Sequence, residues 1–243
     1  MARVTAPGTA VGKLVQHLFG DQASDQMADE VAGWIGGSAR FRAFAEVHRD
    51  KVRKKLRSAA GAEARRDVRA ELAVAHLLLA DRRIELAFEA YGSTKGGPDL
   101  TVTVRGERAF NLEVTRLRRA PGSATSGGPL PAKLRQLPPS APNAVLIAIE
   151  GDSAQAFDAA RATRSLRARA DAKDEAFFTT RGFDGSRAFY QRFLRLGAVF
   201  VWCEKAAGDA RATLWSNPSA RIAVPERAAR AVMARLRQPV VKS

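Results

Sequence analysis

Residues 99–115 constrain this chain more than any other stretch. Leu100-Thr101-Val102-Thr103-Val104 alternates apolar and polar side chains, Arg105-Gly106-Glu107-Arg108 has the chemistry of a turn, and Phe110-Asn111-Leu112-Glu113-Val114-Thr115 resumes the alternation. Two such runs joined by a short Gly-containing connection predict an antiparallel hairpin whose second arm covers 109–115. Its importance lies in the acids it positions. Asp99, directly after Pro98, opens the first arm, and antiparallel pairing brings that start beside the end of the second arm, where Glu113 sits. Side chains alternate along a strand, so Leu112 and Val114 face a core while Glu113 and Thr115 share the other face. A carboxylate among apolar strand residues is costly unless a cation accompanies it. Hard divalent ions take carboxylate oxygens, backbone carbonyls and water, which makes Asp99, Glu113 and the Val114 carbonyl a candidate shell.

The flanking pattern is mixed α and β. Val68, Leu72, Ala75, Leu78 and Leu79 at helical spacing predict a helix that carries Glu71 and ends near Asp81, followed by a strand over 84–89. After a Gly- and Pro-rich loop over 120–131 come a short helix over 133–137 and an apolar strand over 144–149. Residues 153–195 read as helical or irregular, with strands over 198–203 and 213–215 and a closing helix over 225–236 with Pro at its first turn. In the N-terminal part, Val11 to Phe19 and Met27 to Ile35 predict two short helices. A third runs from Phe41 through a basic segment to about Gly61. The expected organisation is a helical extension over 1–61 and an α/β domain over 62–243. Trp34, Trp202 and Trp215 lie in apolar segments and are expected in the core.

Pro98-Asp99, Glu113-Val114-Thr115 and Glu71 on the preceding helix resemble, in order and spacing, the PD-(D/E)xK nuclease superfamily. The resemblance covers about residues 68–149, because Lys133-Leu134-Arg135-Gln136-Leu137 and the strand after it are similar to the helix–strand unit that follows the active strand in many members. It implies a restriction-endonuclease-like mixed β-sheet flanked by helices, and cleavage of phosphodiester bonds in nucleic acid, DNA in the first instance, with Mg²⁺ or Mn²⁺. On the same resemblance Asp99 and Glu113 are metal ligands and Glu71 is an accessory ligand. The motif lysine, however, is Thr115 here, and a hydroxyl supplies no positive charge. Among the nine lysines of the chain the candidates to replace it are Lys133 first and Lys95 second, with Arg116 third. Thr115 also sustains a second reading, a catalytically inactive nucleic-acid-binding or regulatory protein that keeps the fold.

Charge agrees with an anionic partner. Lys and Arg number 40 against 25 Asp and Glu, a net charge of +15. Arg, which grips phosphate with a planar fork, dominates that excess. The densest run is Arg49-Asp50-Lys51-Val52-Arg53-Lys54-Lys55-Leu56-Arg57, in which Arg49, Lys51, Arg53, Lys54, Lys55 and Arg57, together with Arg116, are the expected phosphate contacts. Other chemistries find no support: Gly8 to Lys13 has the wrong spacing for a phosphate-binding P-loop, and no Gly-x-Ser-x-Gly elbow occurs. The single Cys203 permits no internal disulfide, and no metal-type Cys/His spacing exists, so a cytoplasmic location is expected. Residues 1–15 do not read as a secretory signal and no apolar run is long enough for a membrane span. A homodimer is among the assemblies this reading admits.

Overall fold

The computed structural model describes residues 9–22, 25–90, 97–118, 127–150, 157–204 and 211–238. Helices α1 (Ala10–Phe19), α2 (Gln26–Gly37), α3 (Ala39–Val47) and α4 (Arg49–Ser58) precede the long α5 (Gly61–Leu79). Strands β1 (Ile84–Phe88), β2 (Leu100–Val104) and β3 (Phe110–Arg116) then lead through α6 (Leu130–Leu134) to β4 (Asn143–Glu150). The chain continues with α7 (Ala159–Asp171), α8 (Glu175–Thr179), α9 (Ser186–Phe193), β5 (Leu196–Glu204), β6 (Arg211–Ser216) and α10 (Glu226–Leu236). No helix among the described residues is long and apolar enough to cross a membrane.

Several helix starts follow from side chains that accept the first free N–H groups: Thr9 from Gly12, Asp25 from Ala28, Ser38 from Phe41 and Asp158 from Arg161. The expected third helix is two. At His48 the backbone turns to φ −104°, ψ 11°, ending α3 and starting α4, whose Asp50 places an acid at the positive end of the new helix dipole. The helix expected over 133–137 starts earlier, at Leu130, because Pro131 presets the backbone of a first turn.

The six strands form one mixed sheet in the order β1-β2-β3-β4-β5-β6. β1, β2 and β3 are an antiparallel meander, β3, β4 and β5 run parallel, and β6 returns antiparallel. Both faces are covered. On one, Leu100, Val102, Leu112, Val114, Leu146 and Phe200 meet apolar residues of α1–α5 and α10 in a single cluster; on the other, Val145, Ile147, Val199 and Val201 meet α6–α9. The face expected to carry Glu113 is thus a second core, and 157–193 supplies it. Residues 10–58 bury Leu18, Val31, Ile35 and Phe41 in the same cluster as Val68 and Leu72, so the helical extension and the sheet share one apolar interior. Trp34 and Trp202 are buried, and Trp215 packs half-buried against the second core.

Candidate functional site

The sheet ladder itself makes the site. β2 and β3 pair only from Val102↔Phe110 to Leu100↔Leu112, whereas β3 stays paired with β4 as far as Arg116. Past Leu100 the two strands part, and the next position, opposite Glu113, is Asp99. On the β4 side, Asn111 N–H donates to the Pro142 carbonyl and Leu117 N–H to that of Ala148. Odd-numbered residues of β3 therefore direct their backbone groups toward β4, and even-numbered ones toward β2. Val114 is even-numbered and lies beyond the end of β2. Its N–H donates to Asp99 Oδ2 at 2.9 Å, and by the same alternation its carbonyl faces the gap.

Four acids gather at this gap, and two lysines stand among them. Lys55 Nζ, from α4, lies 2.5 Å from Glu71 Oε2 of α5, 2.7 Å from Asp99 Oδ1 and 3.5 Å from Glu89 Oε1. Lys133 Nζ, from α6, donates to Glu113 Oε1 at 2.6 Å. Glu113 is only 2 % exposed, and its second oxygen, Oε2, has no hydrogen-bond partner among the described residues. Glu89 follows β1 with φ +43°, a left-handed conformation that a non-glycine residue adopts only when its surroundings hold it there. Lys51 provides that hold by donating to the carbonyls of Phe88 and Glu89 at 3.1 and 3.0 Å, while Glu89 N–H donates to the Asp99 carbonyl.

Electrostatics follow from burial. Loss of water and the neighbouring Asp99 charge push Glu113 up to about 7, with Lys133 and Lys55 opposing. Burial and Asp99 raise Glu71 well above the carboxylate range, against the pull of Lys55. For Lys55 and Lys133 burial works against the ammonium, yet the acids more than offset it and both lysines are held above their ordinary value. The two ammonium groups are therefore firmly charged.

The predicted site residues fall into three groups. Glu71, Asp99, Glu113, Val114 and Lys133 come together as expected, with Thr115 half-buried two residues along β3. Lys95 lies outside the described residues. Arg116 goes elsewhere: it is buried at the end of β3 and bonds Glu63, Asp67 and Glu150 at 2.6, 2.9 and 2.9 Å, so its guanidinium is already engaged by three acids. The basic run divides by helical face. Val52 and Leu56 are buried, Lys55 beside them is half-buried against the acids, and Arg49, Lys51, Lys54 and Arg57 are exposed, Lys51 with its ammonium on the Phe88 and Glu89 carbonyls; Arg53 is half-buried. Glu89 is the site residue that sequence reasoning missed, and Lys55, expected as a phosphate contact, lies against the acids instead. The signal for Lys55 was present, since Lys51 and Lys55 are one helical turn apart and flank the apolar stripe.

Among the described residues no group of three or more His, Cys, Asp or Glu side chains is arranged to hold a metal ion. What the gap does provide is the Asp99 carboxylate, the unpartnered buried Glu113 Oε2 and the Val114 carbonyl, a hard-oxygen set that suits Mg²⁺ or Mn²⁺. Comparison with protein-family models, with curated proteins and with solved structures returns no match.

Proposed function

We infer that this chain is a divalent-metal-dependent nuclease acting on nucleic acid, DNA in the first instance. The observation that carries the reading is the convergence of Glu71 from α5, Asp99 from the start of β2 and Glu113 from β3, with Lys133 of α6 on Glu113. Element order supports it as well: an acid-bearing helix, an antiparallel meander, a short helix and a parallel strand are the arrangement that the PD-(D/E)xK resemblance calls for.

Asp99, Glu113 and the Val114 carbonyl would hold the ion, with Glu71 behind Asp99. When bound, such an ion supplies charge neutralisation and a more acidic water for phosphodiester hydrolysis. The protein's own groups do the rest. Asp99 is fixed by the Val114 N–H, so one carboxylate oxygen keeps its place without an ion. Lys133 orients Glu113 and presents the positive charge that Thr115 lacks, the kind of fixed cation that stabilises a developing oxyanion. Arg49, Lys54 and Arg57, exposed on α4, offer charge to a phosphate backbone.

The test is incubation of the purified protein with plasmid, single-stranded DNA and RNA, each with Mg²⁺, Mn²⁺ or EDTA. Metal-dependent cleavage supports the reading. Binding without turnover under every ion favours the non-catalytic protein that the missing motif lysine also suits.

A further inference from the structure

We propose that Lys55 is a built-in cation occupying the acid cluster in place of a divalent ion, and that loading the ion requires the Lys55 ammonium to leave. The inference rests on the functional reading above but concerns a residue outside the stretch that resembles the nuclease motif. Its ground is geometric. Lys55 Nζ touches three acids from three separate elements, α5, the end of β1 and the start of β2, and Asp99 Oδ1, the oxygen it takes, is the one left over from the Val114 N–H. A divalent cation and an ammonium cannot both sit against one carboxylate oxygen without strong repulsion. Glu113 Oε2, buried and unpartnered, marks a coordination position that the two lysines leave unfilled.

Lys55 can leave without rearranging the backbone. Its side chain is already 21 % exposed, so rotation of its flexible stem brings the ammonium into water. Lys51, one turn earlier, keeps α4 fastened to the Phe88 and Glu89 carbonyls when Lys55 lets go. The acid cluster is thus charge-compensated before the ion arrives, which spares the fold the cost of buried carboxylates without a counter-ion.

Two measurements on the full chain test this. Mn²⁺ binding is followed by titration calorimetry for the wild type and for Lys55→Met, which keeps the stem and removes the charge. Affinity should rise about tenfold or more in the variant, a conservative figure beside the repulsion of a nearby cation in a poorly solvated site. Independently, amine-reactive labelling of the wild type, read by peptide mass spectrometry, should show Lys55 reacting faster when Mn²⁺ is present. Equal Mn²⁺ affinity in the two proteins overturns the role of Lys55 while leaving the metal reading intact. Binding by the variant alone supports it, and binding by neither overturns both. Should Lys55→Met fail to fold, unchanged Lys55 labelling in Mn²⁺-bound wild type is itself sufficient to overturn the proposal.

Discussion

Glu113→Gln should stabilise the protein in alkaline solution. Glu113 has a pKa of about 7 in the folded chain and about 4.5 when unfolded. Between those values the native state holds a proton that the unfolded chain has released, so stability falls as pH rises through the window. At about 1.4 kcal/mol per unit over roughly 2.5 units, the ionised carboxylate costs about 3 kcal/mol at pH 8. Glutamine removes that cost but also deprives the Lys133 ammonium of its nearest anion, leaving the more distant Asp99 and Glu71 to act on it. A net gain of about 1–3 kcal/mol results, which for a chain of this length is a rise in melting temperature of roughly 2–12 °C. Thermal unfolding of wild type and variant at pH 8 and pH 4.5 measures it. The reasoning fails if the variant melts no higher at pH 8, or if any gain persists unchanged at pH 4.5, where wild-type Glu113 is itself protonated.

Other perturbations read separate parts of the structure. His76 stacks on Phe41 and meets the edge of Trp34, and burial with the nearby Arg235 charge lowers it from 6.5 to about 4; the unfolded chain protonates first, so up to about 3 kcal/mol of stability should disappear as pH falls from 6.5 to 4, and denaturant titrations of His76→Phe should show that loss removed. Arg116→Met takes the shared cation from Glu63, Asp67 and Glu150 and should cost about 2 kcal/mol in denaturant titration beside the wild type, an unchanged midpoint refuting it. On α4, neutralising Arg49, Lys54 and Arg57 together should lower the salt slope of DNA binding by up to about three, near one per phosphate contact, as read by fluorescence anisotropy across a salt series; a slope unchanged from the wild type would make this face an ordinary solvated one.

Much of this architecture was legible because it is local. Period-two alternation over 100–104 and 110–115 marked the hairpin, and the acids at 99 and 113 follow from strand register alone. Lys133 was legible too, as one of few lysines in the chain and the one on the helix after β3. Residues that depend on tertiary packing were not. Arg116 belongs to the even-numbered set of β3, and that it meets Glu63 and Asp67 depends on where α5 lies over the sheet, which no local pattern states. Lys55 read as one more charge in a basic run, because composition does not distinguish the two faces of α4. The division at His48 was hidden for a related reason: the sequence between Phe41 and Leu56 keeps helical spacing across it, and only the backbone at His48 reveals a turn.

The most direct test of the account is plasmid cleavage in Mn²⁺ by wild type and Glu113→Ala, prepared identically and compared with Lys133→Ala, Thr115→Ala and Thr115→Lys. The account predicts that the wild type cleaves, that Glu113→Ala is inactive because an ion ligand is gone, and that Lys133→Ala is severely impaired. Thr115→Ala should lose little, since Thr115 has no charge to lose, and Thr115→Lys should retain cleavage or increase it. Equal residual cleavage by wild type and Glu113→Ala would contradict the account, because the activity could then not arise at the gap between β2 and β3.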